Sequence, residues 1–171
     1  MNSDVYHAFM LDHATGALSS DMALAAELHI LLSPTGADTA ELWQATREAI
    51  GLWATEARRI EHEKLPEALE LSVSDFSTVP WKRGLSGVHY ASRASGKLMR
   101  LDPGQSAPEH NHSALEATVV LSGKFEDGHG TYRRGDLVLG RPGYKHRPAS
   151  SGDEMCICYV AKEPTPFWRL S

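Results

Sequence analysis

The sequence predicts a mainly β fold, a barrel or jelly roll, preceded by an α-helical segment. Three observations carry this reading. Residues 1–65 place their apolar side chains at helical spacing. After Pro66 the chain breaks into short β-prone runs, such as 98–101 before Asp102-Pro103-Gly104 and 118–121 before Ser122-Gly123. Evenly spaced short strands punctuated by Gly and Pro, with no internal repeat, belong to an all-β barrel or sandwich. The composition changes once, between Glu63 and Ser72, so the chain divides into a helical segment, 1–65, and a β domain, 66–171.

In the helical part, residues 4–14 form a first helix that Gly16 ends, because glycine tolerates positive φ. Ser19 or Ser20 caps a second helix running to about Leu32, and Ser33-Pro34-Thr35-Gly36 stops it. From Asp38 to Glu63 a third helix carries Leu42, Ala45, Ala49, Leu52/Trp53 and Ile60 at spacings of three and four, a stripe that needs a partner surface. Trp43 and Trp53 lie far around that helix from one another, which puts at least one at an interface. Residues 64–72 contain few flexible positions, which favours a segment docked on the barrel over a free hinge.

The composition narrows the function classes. With 22 acidic against 17 basic residues, a formal net charge of -5 and no basic run, the chain lacks the cationic stripe that direct nucleic-acid contact requires. No stretch approaches the roughly 20 apolar residues of a membrane span, and residues 1–10 have no signal-peptide pattern. A cytoplasmic protein is expected. Cys156 and Cys158, two apart in an apolar run, point the same way on a strand, which makes a mutual disulfide awkward. They are expected as buried reduced thiols, with redox sensing as the alternative.

The chemistry gathers around four residues. His110 and His112 share strand parity, so their imidazoles leave the same face with Cα atoms roughly 6 to 7 Å apart. Glu116 has the same parity, but a straight strand would carry it roughly 13 Å beyond His112, too far for a shared ion. A corner at 113–115 brings it back as the first residue of the next strand, 116–121. The fourth ligand is His146, presented after the Gly135-Asp136 turn, the run 137–139 and the Pro142-Gly143 turn. Three imidazoles and one carboxylate suit a single divalent ion: Zn, Mn, Fe, Ni or Co. His13, His62, His89 and His129 have no partner at ligand spacing and are expected at surface or satisfied core positions, with His129 solvated.

This stretch resembles the two cupin motifs. Gly104, His110-Asn111-His112, Glu116 and Gly123 match the first, and Gly135-Asp136, Gly143 and His146 match the second. Pro142 stands one place later than the usual proline, where Arg141 is found, and Ser150 replaces a frequent asparagine; both lie outside the ligand set. The resemblance implies an RmlC-like β-barrel with the metal held by His110, His112, Glu116 and His146.

Helices ahead of a cupin resemble the ChrR family of anti-sigma factors. Here Ala14-Thr15-Gly16-Ala17-Leu18, His29 and the late Cys156-Ile157-Cys158 share in the likeness. That resemblance implies a helical domain gripping an extracytoplasmic-function sigma factor, a stress-sensing cupin, zinc as the first choice of metal, and pairing into a homodimer. In the family, an early histidine and a His-x3-Cys-x2-Cys element bind a second zinc. This chain has His7 and His29, but Ser33 and Gly36 stand at the cysteine positions, so no zinc is expected in the N-terminal segment. The alternative is a small metal-dependent cupin enzyme, for example a dioxygenase. It has no evident general acid or base, because Glu109, Glu126 and Asp127 read equally well as solvated charges. A small-molecule binding module without turnover is a third option.

Overall fold

Runs 119–121, 137–139 and 156–161 are apolar without interruption because both their faces are covered. In the computed structural model, which describes residues 3–49, 55–84 and 86–163, with backbone alone over 55–63, they form three neighbouring strands on one side of a six-stranded sheet. Its order is β1 (Lys82–Arg83), β2 (His89–Ser92), β3 (Lys97–Leu101), β11 (Cys156–Lys162), β5 (Glu116–Ser122) and β8 (Leu137–Gly140). A three-stranded sheet of β10 (Ala149–Ser150), β6 (Lys124–Glu126) and β7 (Thr131–Arg133), and the pair β4 (His110–Asn111) and β9 (Lys145–His146), complete the barrel.

Strand parity sorts the large sheet into two cores. Val120, Val138, Cys156, Cys158 and Val160 point into the barrel with Met99 and Phe125. Their neighbours Val119, Leu121, Leu137, Leu139, Ile157 and Tyr159 point outward into a second core shared with the helices. These helices are α1 (Ser3–Thr15), α2 (Ser20–Leu32), α3 (Pro34–Ala49) and α4 (Thr55–Ser72). Helix α2 packs on β5 and β11, and α3 and α4 pack on α2. Buried from Met22 to His29, α2 shows the all-round burial of a central helix. Fully burying each large apolar side chain in this shared core contributes about 1.5–3 kcal/mol.

Polar bonds pin the helices to the barrel across this core. The buried Tyr159 hydroxyl donates to the Asp21 carbonyl at 3.0 Å, and His29 Nδ1–H donates to the Gly135 carbonyl at 2.7 Å. Arg134 donates to the Ser72 carbonyl at 2.7 Å and to that of Leu121. Lys64 reaches the Ser95 hydroxyl at 3.0 Å.

Several sequence expectations need correction. The second helix ends at Leu32 as expected, but the third begins at Pro34 and not at Asp38, since proline fits the first turn of a helix, where no amide partner is needed. Pro66 lies inside α4, which runs on to Ser72 with Ala68 and Leu71 buried. The third helix expected over 38–63 is instead two helices, α3 and α4, and over α3 its periodicity is right but its phase is wrong. Leu42 is 56% exposed and Ala45 and Ala49 are exposed, while Gly36, Thr39 and Arg47 are buried and Ala40 and Trp43 pack on the core. Two close fits set that phase. A Cβ on Gly36 would lie 2.5 Å from the His29 carbonyl oxygen, and the Arg47 guanidinium donates at 2.5 Å to the Ala14 carbonyl near the end of α1. Leu52 and Trp53 lie outside the described residues, as do the side chains of Ile60 and His62.

His29 couples the helices to the barrel in a pH-dependent way. Burial lowers its pKa below the ordinary 6.5, although the Gly135 carbonyl and Asp136 favour the charged form. The unfolded chain therefore binds a proton that the folded chain refuses, so this contribution to stability is present above pH 6.5 and declines as pH falls through the folded-state value. Replacing His29 by Ala is expected to cost about 2 kcal/mol in urea unfolding, from the orphaned Gly135 carbonyl and the lost packing. His29→Asn is expected to reduce the loss of stability between pH 6.5 and 5 relative to the unsubstituted chain.

Candidate metal centre

The β4–β9 pair sets His110 and His146 opposite one another, with His112 two residues on. The Gly143 amide donates to the His112 carbonyl at 3.0 Å and ties the second turn to the first ligand strand. The chain then turns through 113–115, and Glu116 opens β5 opposite Gly140 of β8. One potential ligand atom from each of His110, His112, Glu116 and His146 lies within 4.8 Å of the others. The structure thus brings together all four residues singled out from parity and spacing.

The hydrogen bonds show what this cluster is built to receive. His110 Nδ1–H donates to the Pro108 carbonyl at 2.9 Å and His146 Nδ1–H donates to Asp127 at 3.2 Å, which assigns the tautomer of each neutral ring and leaves Nε2 a bare acceptor. These two acceptors face one another at 3.1 Å, and His112 Nε2 stands 3.0 Å from His146 Nε2. Lone pairs at such separations repel unless a cation lies among them. His112 Nδ1 is buried with no hydrogen-bond partner and stands 3.8 Å from Glu116 Oε1. Burial lowers the pKa of His112 and of His146, which favours the neutral form a metal needs. A divalent ion fits this donor set: it would take three imidazole nitrogens and a carboxylate oxygen and supply Lewis acidity.

Two supporting residues hold the ligands in place. Asp127 is 3% exposed. One oxygen accepts the amides of His129 and Gly130 at 2.9 and 3.1 Å, and the other accepts the Tyr144 hydroxyl at 3.0 Å along with His146. Burial alone would raise its pKa, but these bonds hold it below the usual carboxylate value. Grouping Asp127 with solvated charges was therefore mistaken. The signal available was its place before Gly128-His129-Gly130, where an aspartate turns back onto the following amides. Gly140 is the second support. A Cβ there would come within 2.8 Å of the His112 ring, so only glycine leaves the imidazole its position.

The other candidates have duller roles. Glu109 pairs on the surface with Lys145 at 2.5 Å, and Glu126 is exposed on β6. His13 is a satisfied core residue bonded to Glu27 at 3.1 Å, and the exposed His129 ring donates to the Lys145 carbonyl at 3.0 Å. His29 uses both ring nitrogens, Nδ1 on Gly135 and Nε2 accepting from Tyr6 at 3.0 Å; His7 packs edge-on to Trp43. Cys156 and Cys158 share the barrel core as free thiols, their sulfurs 3.7 Å apart. A cavity of about 300 Å³ opens beside His110, Glu116 and His146, and Glu116 is its one carboxylate among the described residues.

Comparison with known proteins places this geometry in context. Residues 69–166 match the family model of the ChrR cupin-like domain. The chain is 31% identical over 90 residues to the anti-sigma-E factor ChrR of Cereibacter sphaeroides; the match covers 50% of this chain and 42% of that protein. Among solved structures, Rhodobacter sphaeroides SigE in complex with the anti-sigma ChrR superposes over 92% of this chain and 96% of the matched one, with a TM-score of 0.74 at 21% identity. Drosophila melanogaster CENP-C bound to CAL1 matches 54% of this chain, with a TM-score of 0.46 at 18% identity.

Asp127→Asn removes the charge behind His146 and is expected to weaken metal binding by roughly 10- to 100-fold, measured by competition with a chromophoric chelator, with little change in far-UV circular dichroism. Gly140→Ala is expected to weaken it as well, by displacing the His112 ring.

Proposed function

We propose, on the premise that the chain belongs to the ChrR cupin-like domain family, that it is an anti-sigma factor whose helical half grips an extracytoplasmic-function sigma factor and whose cupin half senses through a bound metal. The observation that carries this reading is the helix-plus-cupin architecture, which superposes over 92% of the chain on the ChrR of the SigE complex. The ligands are His110, His112, Glu116 and His146, and the metal is zinc, which mixed histidine and carboxylate sites accept readily.

A change at the metal has a physical route to the helices. Glu116 is the first residue of β5, whose Val119 and Leu121 face the helical core. The His112 ring rests on Gly140 at the end of β8, whose Leu137 and Leu139 face the same core. Loss or oxidation of the site would free the ends of two strands whose side chains face the helical core. The N-terminal segment needs no zinc of its own in this scheme, since His29 spends both ring nitrogens on Tyr6 and Gly135.

The division into 1–65 and 66–171 is then one of roles, because the two parts share a core. None of the described helices is long and apolar enough to cross a membrane. We place the protein in the cytoplasm as a homodimer, without direct nucleic-acid contact. The enzyme alternative is less well supported. The acidic residues it could draw on stand on the surface, as Glu109 and Glu126 do, or behind a ligand, as Asp127 does.

The test is affinity purification from the native host under reducing, chelator-free conditions. A stoichiometric sigma factor is expected, together with about one zinc per chain by atomic absorption. Combined His110→Ala and His146→Ala substitutions are expected to abolish the metal and alter release of the sigma factor under oxidative stress. Reproducible absence of any sigma factor from a metal-loaded preparation would reject the anti-sigma reading.

A further inference from the structure

We propose that the barrel cavity beside the four ligands binds a small organic acid, its carboxylate between Lys97 and Lys162 and its apolar body against Met99, Phe125 and Val160. The inference rests on the metal reading above and extends it, by giving the cupin a ligand to sense.

The cavity holds two lysines and one carboxylate. Lys97 of β3 and Lys162 of β11 reach it from adjacent strands, with Lys97 opposite Val160 in the register. Lys162 Nζ sits 3.0 Å from Glu116 Oε2. Lys97 has a ring face instead of a carboxylate: its Nζ is 5.0 Å from the Tyr90 ring centroid. Burial and the neighbouring Lys162 both disfavour the charge on Lys97.

Metal binding changes this balance. Glu116 is the only acid among the described residues lining the cavity, and it is also a metal ligand. Once a divalent ion draws on that carboxylate, two ammonium groups and the ion face a single negative charge. Lys162 stands at the cavity rim with its side chain 56% exposed, but Lys97 is partly buried, and charge of one sign there is costly without a counterion, so the loaded cavity favours an anion.

The walls narrow the class further. Met99, Ala107, Phe125 and Val160 line the cavity with apolar surface, and Thr118 and Tyr90 add hydroxyls. At about 300 Å³ the space is at the small end of the range for ligand pockets. Three of the four metal ligands line it, so an acid in the cavity would lie beside the ion. An inorganic anion would leave the apolar wall unused, and a neutral alcohol would leave the lysines uncompensated.

The experiment is isothermal titration of the zinc-loaded full chain with sodium benzoate, benzyl alcohol and sodium acetate, with zinc content measured in parallel. Benzoate is expected to bind at least tenfold more tightly than either of the others. Combining Lys97→Met with Lys162→Met is expected to lower benzoate affinity at least tenfold at unchanged zinc content, while Lys162→Arg retains it. If the double variant does not fold, Lys97→Gln and Lys162→Gln singly carry the same comparison. Equal binding of benzoate and benzyl alcohol, or lysine variants that bind benzoate like the unsubstituted chain, would overturn the proposal. Zinc-loaded protein that ignores benzoate overturns the pocket and leaves the metal reading standing, whereas a chain that takes up no zinc overturns both.

Discussion

Burial of one sheet on both faces is the constraint on which the rest of this structure depends. Strands β5, β8 and β11 give alternate side chains to the barrel interior and to the helices, so neither core can be packed without the other. An unpaired or exposed outer face carrying Leu121, Leu137, Ile157 and Tyr159 would be a large apolar patch, which soluble chains rarely tolerate. The helices therefore form a second layer over the outer face of this sheet. The polar pins at Tyr159, His29 and Arg134 set their register, while the apolar contact supplies most of the adhesion.

The candidate metal centre joins the start of β5, which gives Glu116, to the β4–β9 pair, which carries His110 and His146. A barrel mouth lets side chains from distant parts of the sequence converge with the backbone still paired, as His110 and His146 do across β4 and β9. Such convergence is unfavourable in isolation. It crowds imidazole lone pairs, leaves His112 Nδ1 buried and unpartnered, and buries Asp127 behind His146. Local repulsion maintained by a rigid surround is the arrangement that a preorganised ligand set would have.

Much of this was legible from residue spacing, and the failures have physical causes. Parity joined His110, His112 and Glu116, and the geometric need for a corner at 113–115 follows from strand rise alone; the structure has that corner. Helix α3 was harder. Its apolar period gave the right repeat, but Leu42 faces outward because Gly36 and Arg47 make tertiary fits that hydropathy does not score. Pro34 and Pro66 each carry two meanings, helix end and helix first turn or interior, and only the packing of α3 and α4 chooses between them. Asp127 was missed because an acid flanked by glycines looks solvated until the turn it organises is seen against His146.

The contact between Gly36 and His29 also limits what position 36 can carry. A histidine–cysteine zinc element of the kind implied by the family resemblance would need a side chain at position 36. Here a Cβ at that position would meet the His29 carbonyl oxygen at 2.5 Å and the His29 ring at 2.9 Å. A cysteine placed there would have to push α3 away from α2 and from His29, whose ring bonds Gly135. Direct backbone packing at Gly36 thus fastens α2 to α3 where a metal clasp would need side chains, and it reserves position 36 for glycine.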